Sequence, residues 1–113
     1  MSGVSNDFYC DEVLNGKTQV NRVYETDRVL AYHHTRPYYE HHVVVIPKLH
    51  VGSLISGEAV NTEQLLLEVL RVIKMVASDM VRQTGAAKVV TNLGDYQESK
   101  HMHWHVVSGQ TIR

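Results

Sequence analysis

Residues 101–107 read His-Met-His-Trp-His-Val-Val, and no other stretch restricts the fold of this chain so much. In an extended strand successive side chains point to opposite faces. His101, His103 and His105 therefore line one face, while Met102, Trp104 and Val106 line the other and can pack into a core. A row of imidazoles has two main uses. One is phosphoryl or nucleotidyl transfer through a covalent histidine; the other is metal ligation. The spacing by itself allows both.

The rest of the chain supplies partners for that strand. Residues 18–25 and 28–34 are rich in Val, Tyr, Thr and Leu and flank a polar Thr26-Asp27 turn, which predicts a hairpin. Residues 42–46 form a buried-strand run ended by Pro47. Residues 61–84 carry apolar side chains at the 3.6 period (Leu66, Val69, Leu70, Ile73, Val76, Ala77, Met80), with Asn61 as cap, Gln64 three residues on, and Gly85 as the stop. Leu65, Val72 and Val81 widen the stripe beyond what packing on a sheet requires. Residues 6–14 read as a short helix between Asn6 and Gly16, and residues 88–93 and 101–108 as the last strands. The sum is an α+β fold: an antiparallel sheet of about five strands, one long helix and a short N-terminal helix.

At 113 residues the chain is expected to be one domain, residues 1–113 with a core over about 8–109, able to bury a core without staples. A net charge of −1 argues against broad nucleic-acid binding, which needs a basic face. The longest apolar run, residues 43–46, is too short for a bilayer. The start of the chain lacks a signal-peptide pattern, and lone Cys10 fits a reducing compartment. Together these lead to an expectation of a cytoplasmic protein with no membrane or nucleic-acid partner. Eight histidines stand out.

With His42-Val43-Val44-Val45-Ile46-Pro47-Lys48-Leu49-His50 upstream and Gln97 four residues before His101, the chain resembles the histidine triad (HIT) superfamily of nucleotide hydrolases and transferases, nearest its Hint-like branch. The resemblance covers about residues 8–109. It implies that His103 attacks the α-phosphorus of a purine nucleotide conjugate, an AMP phosphoramidate or related adenylate, and that water cleaves the nucleotidyl-histidine. It implies that His105 bonds the non-bridging oxygens and moves a proton to the leaving group, work suited to an imidazole titrating near neutrality. His101 and His42 would orient those rings. Asn92, Gly94, Gln97 and Ser99 would form the phosphate-side loop, and Tyr9, Tyr32 and Thr35 would flank base or sugar. A homodimer is the expected assembly, with the long helix at its interface.

Three departures stand out. Glu98 follows Gln97 where the superfamily commonly has Ser or Thr, so either it turns outward and Ser99 substitutes, or the leaving group is cationic. His34 stands where an acid commonly holds the ribose hydroxyls, an imidazole that can still bond a hydroxyl and is counted with the nucleotide-binding residues, and Glu40 replaces a frequent proline. No cofactor is required by this chemistry. Some members hold a structural zinc; here the matching set is Asp7, Cys10, His50 and His101, with an aspartate in place of one thiolate. Two rival readings use the same residues: a nucleotide-binding regulator with little turnover, and a metalloprotein ligating through His101, His103 and His105.

Overall fold

A computed structural model describes residues 9–113. Five strands form one sheet: β1 (Arg22–Glu25), β2 (Val29–His33), β3 (Tyr39–Pro47), β4 (Lys88–Val90) and β5 (Trp104–Thr111). All pairings are antiparallel, in the order β1-β2-β3-β5-β4. One long helix, α1 (Glu63–Thr84), covers one face. This is the α+β architecture expected from the sequence.

The central strands are buried on both faces. Val29, Ala31, Val43, Val45, Met102 and Val106 pack with Leu65, Val69, Val72, Ile73, Val76 and Met80 of α1. On the opposite face Leu30, Tyr32, Val44 and Ile46 pack with Tyr9 and Val13. That double burial explains why residues 43–46 read as an unbroken apolar run instead of an alternation. The N-terminal segment supplying Tyr9 and Val13 is a single π-type turn, Tyr9–Val13, closed by the Leu14 N–H donating to Tyr9 O (2.7 Å). The helix expected over 6–14 is thus reduced to one turn among the described residues, and its expected cap Asn6 lies outside them.

Several boundaries differ from the sequence reading, and three of them bear on the site. The cap of α1 is Thr62, whose hydroxyl accepts from the Leu65 N–H. Asn61 turns its amide back to donate to the carbonyls of Leu54 (3.1 Å) and Ser56 (2.8 Å), closing the preceding loop. The last strand begins at Trp104, because the Met102 N–H and the His101 ring are held by carbonyls of Val51 and Pro47, outside the ladder. β4 ends at Val90, and the chain leaves the sheet to make a short turn, Gly94–Tyr96, with Gly94 at φ +61°. At the other end α1 stops as expected on Gly85 at φ +91°, whose N–H donates to Val81 O.

Candidate active site

β3 and β5 are neighbours, with Val44 opposite His105 and His42 opposite Val107. Residues directly opposite share a face, so His42 and His105 emerge together on the side away from α1, and His103 follows two residues earlier. Backbone groups then fix which nitrogen of each ring carries the proton. The Tyr38 N–H donates to His42 Nδ1 (3.0 Å), so neutral His42 holds its proton on Nε2 and donates it to His105 Nδ1 (2.8 Å). His105 is left with an Nε2–H. His103 Nδ1 lies 2.7 Å from the His101 carbonyl, which can only accept, so the proton sits on Nδ1 and Nε2 is the nitrogen that carries the lone pair. His101 itself donates Nε2–H to Pro47 O (2.8 Å).

Burial keeps the His42 and His105 rings neutral. It pushes His42 down to about 4, with His34 adding a smaller contribution. His105 is pushed down to about 3, again chiefly by burial and then by His103, His42 and His34. An imidazole titrating near neutrality was expected at 105, and here the low polarity of the site overrules that expectation. Neutral His105 offers the cleft an Nε2–H, a hydrogen-bond donor. Tyr9 packs its ring against His101 and His103, at 5.6 and 4.9 Å between centroids.

The rings open on a cleft of about 700 Å³. Asn92, Glu98 and Ser99 face it from the loop after β4, and His34, Thr35 and Arg36 from the β2–β3 connection. Glu98 therefore does not leave the cleft to Ser99; both line it. Gln97 has a different place. It is buried, and its Nε2 donates to Gly52 O (2.6 Å) and Ser99 O (2.9 Å), bracing the loop from behind. Gly94 gives that loop its turn through a left-handed backbone. Tyr32 is 1% exposed in the core under the rings, and burial raises its phenol well above the usual range. Sequence reasoning missed Arg36 and the tyrosines at 38, 39 and 96, all on the cleft wall. The run Arg36-Pro37-Tyr38-Tyr39 directly before the His42 strand was an available signal. The Tyr38 N–H carried none, since a backbone donor has no letter of its own.

Two groups of side chains have metal-ligand composition. In the first, Cys10 Sγ lies 3.4 Å from His101 Nδ1 and 4.0 Å from His50 Nδ1. The His101 Nε2–H donated to Pro47 O turns the Nδ1 lone pair toward the sulfur, the second contact by which proteins orient a ligating imidazole. A thiol and two imidazoles suit zinc; Asp7 lies outside the described residues. The second group is His34, His42 and His105. Its Nδ1 lone pairs already accept from the Arg36 N–H, the Tyr38 N–H and His42 Nε2–H, so it offers donors and fits a cation poorly.

The fold and the cleft together define a class: a helix-backed, five-stranded antiparallel sheet that brings the His103 and His105 rings to one cleft. A family model described as the HIT domain matches residues 15–112, and the chain belongs to the HIT family. It is 31% identical over 106 residues to an uncharacterized 13.2 kDa HIT-like protein of Azospirillum brasilense, covering 88% of this chain and 84% of the relative. A 14 kDa zinc-binding protein of Zea mays is 30% identical, with 90% and 81% covered. Among solved structures, a histidine triad protein from Clostridium difficile superposes with a TM-score of 0.76 at 29% identity, covering 96% of this chain and 94% of that one. Among the described residues no helix is long and apolar enough to cross a membrane.

Proposed function

We propose that the protein is a nucleotide hydrolase or nucleotidyltransferase that cleaves a purine nucleotide conjugate at its α-phosphate, with an AMP phosphoramidate or related adenylate as substrate. The observation that carries this reading is the proton arrangement: His103 presents an Nε2 lone pair and His105 an Nε2–H to the same cleft. His103 Nε2 attacks phosphorus, and a P–N bond forms as the bond to the leaving group breaks. The His105 Nε2–H bonds a non-bridging oxygen, supported by Asn92 and Ser99, and stabilises the charge gathered there. An amine leaving group fits best, because its nitrogen takes a proton from solvent before departure and asks for none from neutral His105. Water then attacks the nucleotidyl-His103, losing its proton to solvent; the P–N pair returns to Nε2 and AMP is released.

Glu98 favours the same leaving group, since a carboxylate at the cleft attracts an ammonium and opposes a polyphosphate. Cys10, His50 and His101 are the residues that would hold a zinc ion, which when bound would clamp the N-terminal turn to the segment before β5. The proposed assembly is a homodimer through α1, in the cytoplasm. Rapid acid quench with an AMP-amine substrate tests the mechanism: intact-protein mass spectrometry should show one AMP adduct, absent from His103→Ala. Turnover with no adduct in any quench, together with an active His103→Ala, would remove the covalent route.

A further inference from the structure

One corner of the cleft is chemically one-sided. His34 Nδ1 accepts from the Arg36 N–H at 2.9 Å, so the neutral ring has only an Nε2–H to present. The ring lies nearly parallel to that of His105, 6.0 Å between centroids and 26° between planes, one ring further from His103. Arg36, exposed, lines the same cleft beside His34 and makes no ion pair among the described residues. Arg113 adds a second cation: it donates Nε–H to Pro37 O (2.8 Å) and lies 5.6 Å from the centre of the Tyr38 ring. Thr35, Tyr38 and Tyr39 add neutral hydroxyls to the same wall, each able to donate or accept.

A sugar diol both donates and accepts, and holding it calls for an acceptor such as a carboxylate. No carboxylate is among the side chains of this corner, and its ring and charged groups, His34, Arg36 and Arg113, are donors. A phosphate accepts from all of them, and the planar fork of an arginine matches two of its oxygens at once. The carboxylate of Glu98 faces the cleft from the loop that carries Ser99, so a second anion is opposed on that wall and welcomed on the His34–Arg36 wall. Resting on the nucleotide reading above, the geometry points to a substrate whose sugar carries a second phosphate group, held by the His34 Nε2–H and the Arg36 guanidinium while the 5′-phosphate meets His103.

Calorimetry on the whole protein tests this with four probes: AMP, adenosine 2′,5′-bisphosphate, adenosine 3′,5′-bisphosphate and ADP. One of the two bisphosphates should bind about tenfold more tightly than AMP or more, the gain ordinarily given by charged hydrogen bonds to a second anion. ADP, whose extra phosphate lies on the chain, should gain less. In Arg36→Gln and in His34→Asp the bisphosphate-to-AMP ratio should collapse toward one, with Arg36→Lys between, because it keeps the charge and loses the fork. Bisphosphates that bind no better than AMP overturn the inference, as does an ADP gain of equal size or a ratio unmoved by Arg36→Gln. If the folded protein binds AMP with no bisphosphate preference, the nucleotide reading stands and this one falls. If it binds none of the four, both fall.

Discussion

Replacing His103 by alanine tests the proposed chemistry directly, because its ring sits at the cleft wall with Nδ1–H donating to the His101 carbonyl. Turnover should drop by several powers of ten while nucleotide affinity and the unfolding midpoint change little. Near wild-type kcat in this variant would sink the covalent mechanism. Glu98 invites the complementary experiment. Glu98→Ser should move the kcat/KM ratio between dinucleoside-polyphosphate and AMP-amine substrates by about tenfold toward the former, a screened contact charge being worth roughly 1 kcal/mol. An unmoved ratio would show that the carboxylate does not sense the leaving group. That His42, His103 and His105 share one cleft was legible in the sequence, because alternation and spacing are properties of letters. Gln97 was legible as a position only: its distance from His101 marked it, but its amide braces Gly52 and Ser99 from behind the cleft. Arg36 went unread because a cation in a short connection looks like an ordinary solvated residue until the fold brings that connection to His42.

At the level of elements, β3 and β5 are joined through a register shift between Tyr39 and His41, and Gly109 stands beside it. Its φ is +85°, and a Cβ there would come within 2.9 Å of the Glu40 Cβ. Gly109→Ala therefore pays twice, in backbone strain and in a clash that displaces Glu40 from the Gln110 N–H it accepts. The expected cost is about 1–3 kcal/mol, read from urea unfolding; a loss below the scatter of the titration would mean the bulge rearranges freely. Helix α1 shows how far a period can be trusted. Its buried line runs through Leu65, Val69, Val72, Ile73, Val76 and Met80, while Leu70, counted on the apolar stripe, is 50% exposed. A stripe wider than one face cannot say which edge meets the sheet. Nor could the letters decide between Asn61 and Thr62 as the cap, since both side chains can accept; the loop carbonyls that claim the Asn61 amide were the deciding partners.

Across the whole molecule, the low-titrating rings make an acid-sensitive fold. His42 and His105 titrate near 4 and 3 in the folded protein and near 6.5 once unfolded. Between those values the unfolded chain binds more protons, so stability is intact above pH 6.5 and falls as pH drops through the window. Thermal melts should lose about 2 kcal/mol between pH 7 and pH 5, after discounting for partial exposure of the rings. A midpoint that is flat over that range would show the histidines to be better solvated than their packing implies. The exposed Leu67, Leu70, Met75 and Val81 on α1 make a further global prediction. Sedimentation at micromolar concentration should show a dimer, and Leu70→Glu should shift it toward monomer; a wild-type monomer would refute the proposed assembly.

The carbonyls of Pro47, Val51 and Gly52 receive, in turn, the His101 ring, the Met102 N–H and the Gln97 amide. A six-residue stretch outside the cleft lining thus acts as the jig in which the histidine-bearing segment is held. Variation there would be invisible to any inspection of the cleft wall, and would reach the chemistry as misalignment. Changes that bend this stretch should mimic active-site lesions in their kinetics while leaving every cleft residue in place.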